Sequence, residues 1–329
     1  MMNIATDNWP FFGWNPWAFT QESTGGPDIA PASRGEFIGG VFHSGAQSLR
    51  YKLYIPSSRG DGRIPLVVML HGCGQDADDF ARGTRMNELA ELANCMVLYP
   101  EQSMQVSWNR CWTWYDQGHH ERDKGEPALI AGLTQALINE HAIDRSRVAV
   151  AGLSSGGAMA VILGRTYPDV YKAVGCHSGL AHGSATDSFS ALTVMRDGAD
   201  INLSLDAHAL TPVPTIVFHG DVDYTVDQKN SAEVVRQAIE CYTSQAPGES
   251  VSTAMCEHKG EASGRSFTRC THRSAAGDVV AELWTVHGTG HAWSGGDICA
   301  SYTEPRGPDA SKEMLRFFMQ RPGAEAAAS

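Results

Sequence analysis

The sequence predicts an α/β fold with a mostly parallel central sheet and helices on both faces. Three observations lead there. Short apolar runs recur along the chain, several of them continuously apolar rather than alternating, as strands covered on both faces must be. Helix-length segments separate these runs, and strands that alternate with helices assemble into parallel sheets. Neither an internal repeat nor a long linker interrupts the alternation.

Taken in order, the chain opens with MMNIATDNWPFFGWNPWAFT, where Trp9, Trp14 and Trp17 stand among prolines and glycines. This reads as an aromatic arm, 1–35, docked on the domain that follows. Strand-like runs then come at LRYKLYIP (49–56) and PLVVMLHG (65–72). A helix is expected over 81–93, a strand at CMVLYPE (95–101), a helix over 126–141 and a strand at RVAVAG (147–152). The last of these runs into a glycine- and serine-rich turn and a helix over 155–167. Next come AVGCHSG (173–179) and an irregular excursion around 182–212, expected as a cap over a site. PTIVFHGD (214–221), a helix over 228–242 and AELWTVHG (281–288) complete the alternation. The final helix, 309–320, opens with an acid near its N-terminus and puts Met314, Phe317 and Phe318 on one face. One catalytic domain over 36–321 and a frayed tail over 322–329 account for the rest.

Composition narrows the function. The 329 residues carry a formal net charge of −12, which argues against nucleic acid or an anionic membrane as partner. No apolar run approaches the roughly 18 residues of a membrane span. The N-terminus lacks a basic region followed by an apolar one, so it does not read as a signal peptide, and a cytoplasmic location is expected. Eight cysteines pull the other way, toward an oxidising, extracellular setting, but they show no C-x-x-C pair and no zinc spacing. Cys95 and Cys176 look like buried thiols. Cys256 and Cys270 flank a turn and could bridge a hairpin. The adjacent His119 and His120 read as a solvated loop; without a third ligand they make no metal site.

The chemistry centres on Gly152-Leu153-Ser154-Ser155-Gly156. This fits G-x-S-x-G and lies where that motif must, after a buried strand and before a helix. Ser154 is the candidate nucleophile. The main-chain N–H of Ser155, at a helix N-terminus, is a candidate oxyanion donor. His71-Gly72-Cys73-Gly74 follows the strand PLVVML, and the N–H of Cys73 is the second candidate donor. PTIVFHG ends in Asp221-Val222-Asp223; Asp223 is expected to orient a histidine and Asp221 to cap the turn. His291, in the glycine-flanked loop after ELWTVHG, is the expected base, while His287 reads as structural. Ser154, Asp223 and His291 follow one another in the α/β-hydrolase order. No metal or cofactor is needed for such chemistry.

At this point the sequence resembles the poly(3-hydroxybutyrate) depolymerase family of esterases. The resemblance rests on LHGCGQDADDFARGTRMNELAE, NRCWTWYDQGHHERDKGEPALIAGL, AGLSSGGAMA, HGDVDYTV and GHAWSGG, and on ASYTEPRGPDASKEMLRFF at 300–318. It covers residues 36–320 and implies an α/β-hydrolase with the triad named above. It also implies a disulfide between Cys73 and Cys111. The family includes polyester depolymerases, feruloyl and acetylxylan esterases and general carboxylesterases. Its extracellular polymer-degrading members usually carry a signal peptide and often a substrate-binding domain. The sequence shows neither, which favours a soluble ester or oligomer as substrate.

The expectation is therefore a serine carboxylic-ester hydrolase acting on short-chain hydroxyalkanoate esters or oligomers, with no obligate protein partner. A feruloyl or acetyl esterase is the alternative. A peptidase of the same fold, or a catalytically inactive binding protein on this scaffold, fits the motifs less well. Trp293, Trp112 and Trp114 are candidate substrate-contacting aromatics, and Arg110 and Glu126 are expected to hold the loop that carries Trp112 and Trp114.

Overall fold

The hydrophobic runs assemble into a ten-stranded sheet ordered β1-β2-β4-β3-β5-β6-β7-β10-β9-β8. The structure is a computed structural model and describes residues 35–58, 62–199, 211–245 and 256–320. The N-terminal arm with its tryptophans and the tail lie outside the described residues. β3 (Ile64–Leu70), β4 (Met96–Glu101), β5 (Ile143–Leu153), β6 (Ala173–His177), β7 (Thr215–Gly220) and β10 (Val279–Val286) run parallel to one another in the middle of the sheet. β3, β6 and β7 are buried along their whole length, as their unbroken apolar character requires.

Antiparallel hairpins close both edges. β1 (Glu36–Ser44) pairs with β2 (Gln47–Ile55), and β8 (Cys256–Ala262) with β9 (Arg265–Arg273). The sequence reading named no strand at β1, and it expected a hairpin between Cys256 and Cys270 without naming β8 and β9 as strands. They mix polar and apolar residues because an edge hairpin is covered on one face at most. The register of the second hairpin also removes a possible disulfide. Cys270 lies opposite Glu257, while Cys256 lies opposite Thr271, and Cys270 is a free thiol. Successive strand residues point to opposite faces, so a one-residue offset separates the two positions.

The same alternation splits the core in two. Leu66, Val68, Leu70, Val148 and Val150 face one layer, packed by α3 (Gly125–Glu140), α4 (Ser155–Thr166) and α6 (Lys229–Gln245). Val67, Met69, Val97, Tyr99, Ile216 and Phe218 face the other, packed by α1 (Ala77–Thr84), α2 (Met86–Ala93) and α7 (Ala310–Met319). In α7, Asp309 caps the first turn by accepting the Lys312 N–H at 2.9 Å, and Met314, Phe317 and Phe318 are buried.

Two helical expectations change. The helix expected over 81–93 starts earlier and is broken at Arg85, which adopts a left-handed conformation at φ 53°. The carbonyls that a continuous helix would use are taken from elsewhere: Gly83 O accepts the Asp297 N–H and Thr84 O accepts the Ser311 hydroxyl. The stretch 182–212 is less irregular than expected. It holds α5 (Ser188–Asp197), opened by a capping box between Asp187 and Ser190. Residues 200–210 lie outside the described residues.

Candidate active site

The carboxyl ends of the parallel strands carry the expected reactive groups. Ser154 stands between the last residue of β5 and the first of α4, at φ 57° and ψ −118°, a strained conformation for a residue with a side chain. Its N–H donates to His177 O at 2.8 Å, and its own carbonyl accepts the first helical bond, from Ala158. The flanking glycines are there for space. A Cβ on Gly156 would strike the Leu70 carbonyl oxygen at the end of β3, and one on Gly152 would strike Gly156. The serine turn is thus wedged against the strand that launches the His-Gly-Cys loop.

That loop is braced by a second one. His71 is buried; its Nε2 accepts the Gln102 N–H at 3.0 Å and its Nδ1–H donates to Gly72 O at 2.8 Å. Burial pushes the His71 pKa down to about 4, which the bond to Gly72 only partly offsets, so the ring is neutral near pH 7. Cys73 is joined to Cys111 by a disulfide, as the family resemblance implies. Gly74 N–H donates to Asn109 O at 2.7 Å, and Trp112 Nε1 donates to His71 O at 3.0 Å. Ser155 Oγ lies 3.4 Å from Cys73 Sγ, which brings the two candidate oxyanion residues together. Among the described residues, neither the Cys73 nor the Ser155 main-chain N–H meets an acceptor.

Arg110 and Glu126 hold the bracing loop as expected. Arg110 pairs with Asp76 at 3.0 Å, and Asp76 in turn caps α1. Glu126 accepts the Thr113 N–H at 2.9 Å and a bond from the Gln102 amide. Burial raises the Glu126 carboxyl above its usual range, against the pull of these donors. The three candidate substrate-contacting tryptophans have little surface left for a substrate. Trp112, Trp114 and Trp293 are all buried. Trp293 donates its N–H to Ser311 Oγ at 3.0 Å, stacks on His177 and meets Phe80 edge-on, so its polar edge and one face are already occupied. His119 and His120 are not a solvated loop. His119 is buried with Nδ1 on Thr113 O at 2.9 Å, and His120 Nε2 donates to Trp114 O at 2.8 Å. Among the described residues, no group of three or more His, Cys, Asp or Glu side chains is gathered as a metal would need.

The candidate acid and base meet at the other end of the site. Asp223 Oδ2 lies 2.7 Å from His291 Nδ1. Its Oδ1 accepts the Thr225 and Val226 N–H groups at 2.9 Å each. His219 Nε2 donates to Val226 O at 2.8 Å and stands 3.4 Å from Asp223 Oδ2. Burial alone would raise this carboxyl. The bonds from His219 and His291, with the charge His291 can carry, outweigh it and hold Asp223 far below the usual carboxylate range. The two loops meet where Gly220 lets them: a Cβ there would strike Thr289 O. Neither Ser154 Oγ nor His291 Nε2 has a hydrogen-bond partner among the described residues.

The model of the family described as esterase PHB depolymerase matches residues 49–246. The chain belongs to that family. Poly(3-hydroxyalkanoate) depolymerase C of Paucimonas lemoignei is 31% identical over 260 residues, 76% of this chain and 60% of that protein. Feruloyl esterase B of Neurospora crassa is 31% identical over 149 residues, 45% of this chain and 50% of that protein. The chain therefore spans 60% or less of the length of these relatives. Among solved structures, an acetyl xylan esterase from Aspergillus awamori superposes with a TM-score of 0.60 at 18% identity, over 82% of this chain and 93% of that one. The fold is that of the α/β-hydrolases. The family match includes Cys73, Ser154 and Asp223 but ends before His291, whose pairing with Asp223 comes from the structure. Sequence reasoning overlooked His177 and His219. Their signal was a polar residue near the carboxyl end of an otherwise apolar strand, the edge where α/β sheets place their sites.

Proposed function

We propose that this PHB-depolymerase-family protein is a serine carboxylic-ester hydrolase using Ser154, His291 and Asp223. His291 Nε2 takes the Ser154 hydroxyl proton as Oγ attacks the acyl carbon. The N–H groups of Cys73 and Ser155 receive the oxyanion, each such donor contributing about 3 kcal/mol. His291 returns its proton to the leaving alcohol, and water releases the acyl group by the same steps in reverse. Asp223 keeps the His291 ring oriented and stabilises its charged form. The observation that carries the reading is the buried Asp223–His291 pair at 2.7 Å, with the second ring nitrogen left open.

The favoured substrates are short-chain hydroxyalkanoate esters or oligomers. Trp108, Tyr224, Ile298 and Tyr302 are exposed on loops that leave the carboxyl ends of β4, β7 and β10. Similarity to a poly(3-hydroxyalkanoate) depolymerase over 76% of this chain supports this class. Identity with a feruloyl esterase supports a second reading, an aromatic-acid esterase. The Cys73–Cys111 bridge fits an oxidising compartment better than a reducing one.

The test is hydrolysis of p-nitrophenyl esters from acetate to octanoate beside 3-hydroxybutyrate oligomers, polymer film and methyl ferulate. Ser154→Ala should cut every rate by roughly 10⁴-fold or more. Preference for the oligomers supports the first substrate class, and preference for methyl ferulate replaces it with the second. Activity that survives Ser154→Ala would sink the mechanism.

A further inference from the structure

Behind the reacting groups lies a histidine that the mechanism above does not use. His177 ends β6 and is fully buried. Its carbonyl oxygen accepts the Ser154 N–H at 2.8 Å, so a bond from the neighbouring strand holds the strained turn. Its ring reaches the opposite loop, where Nε2 accepts the Ser294 N–H at 3.1 Å. Because that donor is a main-chain amide, Nε2 must be the unprotonated nitrogen. The proton sits on Nδ1, which faces Ser178 Oγ at 3.2 Å. The ring stacks on Trp293 at 5.0 Å and on Phe218 at 5.8 Å, with interplanar angles of 26° and 18°.

We propose that His177 is a positioning residue for acyl transfer, setting the separation of Ser154 from the His291 loop by binding the Ser154 and Ser294 amides at once. This rests on the roles given to Ser154 and His291 above. Those two side chains make no direct hydrogen bond among the described residues, so their relative placement must come from the groups behind them. His177 is bonded to both segments, one through its main chain and the other through its side chain. A flat neutral ring suits the place: it fills the slot between Phe218 and Trp293 and still offers an acceptor. Burial pushes its pKa down to about 3, and the nearby charge that His291 can carry acts in the same direction. The acceptor therefore persists while His291 holds the transferred proton.

The discriminating pair is His177→Gln and His177→Asn. Both are polar and neutral, and both keep the main-chain bond to Ser154. The glutamine amide oxygen reaches the place of Nε2; the asparagine amide stops near Nδ1. Competent sites are counted by fluorophosphonate titration of Ser154, and kcat per titrated site is measured with p-nitrophenyl butyrate from pH 6 to 9. The asparagine variant should lose roughly 10- to 100-fold in kcat per site, the scale of a modest misplacement of reacting groups. Its KM should stay within about twofold, since ground-state binding does not use the spacing. The glutamine variant should recover to within about fivefold of wild type, as a restored hydrogen bond requires. Equal losses in the two variants, or asparagine sites as fast as wild type despite a lowered Tm, would overturn the proposal while leaving Ser154 as nucleophile. Failure of wild type to take the label at Ser154 would overturn both.

Discussion

Two aspartate–histidine pairs bridge the loops after β7 and β10, and they are nearly identical in length. Asp223 meets His291 at 2.7 Å, and Asp221 meets His287 at 2.8 Å. In the first pair the side chains are 0% and 12% exposed; in the second, 30% and 38%. The partners differ as well. His287 has both nitrogens engaged, Nδ1 by Asp221 and Nε2 by Thr268 Oγ1 at 2.9 Å. His291 keeps Nε2 uncommitted. Asp221 also accepts the Gly288 N–H at 2.7 Å, so it stitches one loop to the other rather than capping its own turn. The same two residue types make a surface clasp in one place and a candidate acid–base pair in the other. What separates them is dehydration, which strengthens the charge interaction, and one nitrogen left free to take a proton.

The largest effect should come from breaking the buried pair. Asp223→Asn removes the charge that orients His291 and should lower kcat by roughly 10⁴-fold, read with p-nitrophenyl butyrate under saturating conditions. A loss under tenfold would mean that Asp223 is not the orienting acid. Next comes the contact that both pairs share. Gly220→Ala forces a methyl group into the Thr289 carbonyl, and overpacking of this kind costs about 1–3 kcal/mol. Chemical denaturation would measure it, and an unchanged midpoint would show that the loops have room to part.

Acid sharpens the comparison further. His177 has its pKa lowered from 6.5 to about 3 in the folded chain. Between those values the unfolded chain binds the proton and the folded chain does not. Stability contributed by the neutral ring is therefore complete above about pH 6.5 and is lost as pH falls toward 3. His71, with a folded pKa of about 4, acts in the same sense. Removing one such group, as in His177→Gln, should flatten the slope of unfolding free energy against pH below 6.5 by up to about 1.4 kcal/mol per unit. An unaltered slope would place the His177 pKa near its ordinary value. The smallest effect belongs to the surface clasp. Asp221→Asn should cost less than about 1 kcal/mol and change kcat by less than about threefold. A loss comparable to that of Asp223→Asn would erase the distinction between the two pairs.

The candidate site residues were legible because the chemistry proposed for them imposes local rules. A serine between a strand and a helix needs the glycines of 152–156, and a late strand ending in Asp221-Val222-Asp223 offers an acid at the edge where sites form. The buried strands were legible because double coverage leaves no polar positions. The outer strands were less so, because β1 and β9 carry mixed patterns that local sequence does not separate from loops. The tryptophans misled for a related reason. A motif shows that Trp293 follows His291 by two residues, but not which way its ring turns, and it turns into the core toward Phe80 and Ser311.

The sequence by itself determined the fold class, the order of Ser154, Asp223 and His291, and the family, because each follows from local backbone demands or from short motifs. The tertiary structure alone decided which aspartate–histidine pair is buried, which histidine nitrogens are spent, and that His177 ties the serine turn to the histidine loop. Those properties belong to neighbours distant in the chain, and only the packing of β6, β7 and β10 side by side brings them within a hydrogen bond of one another.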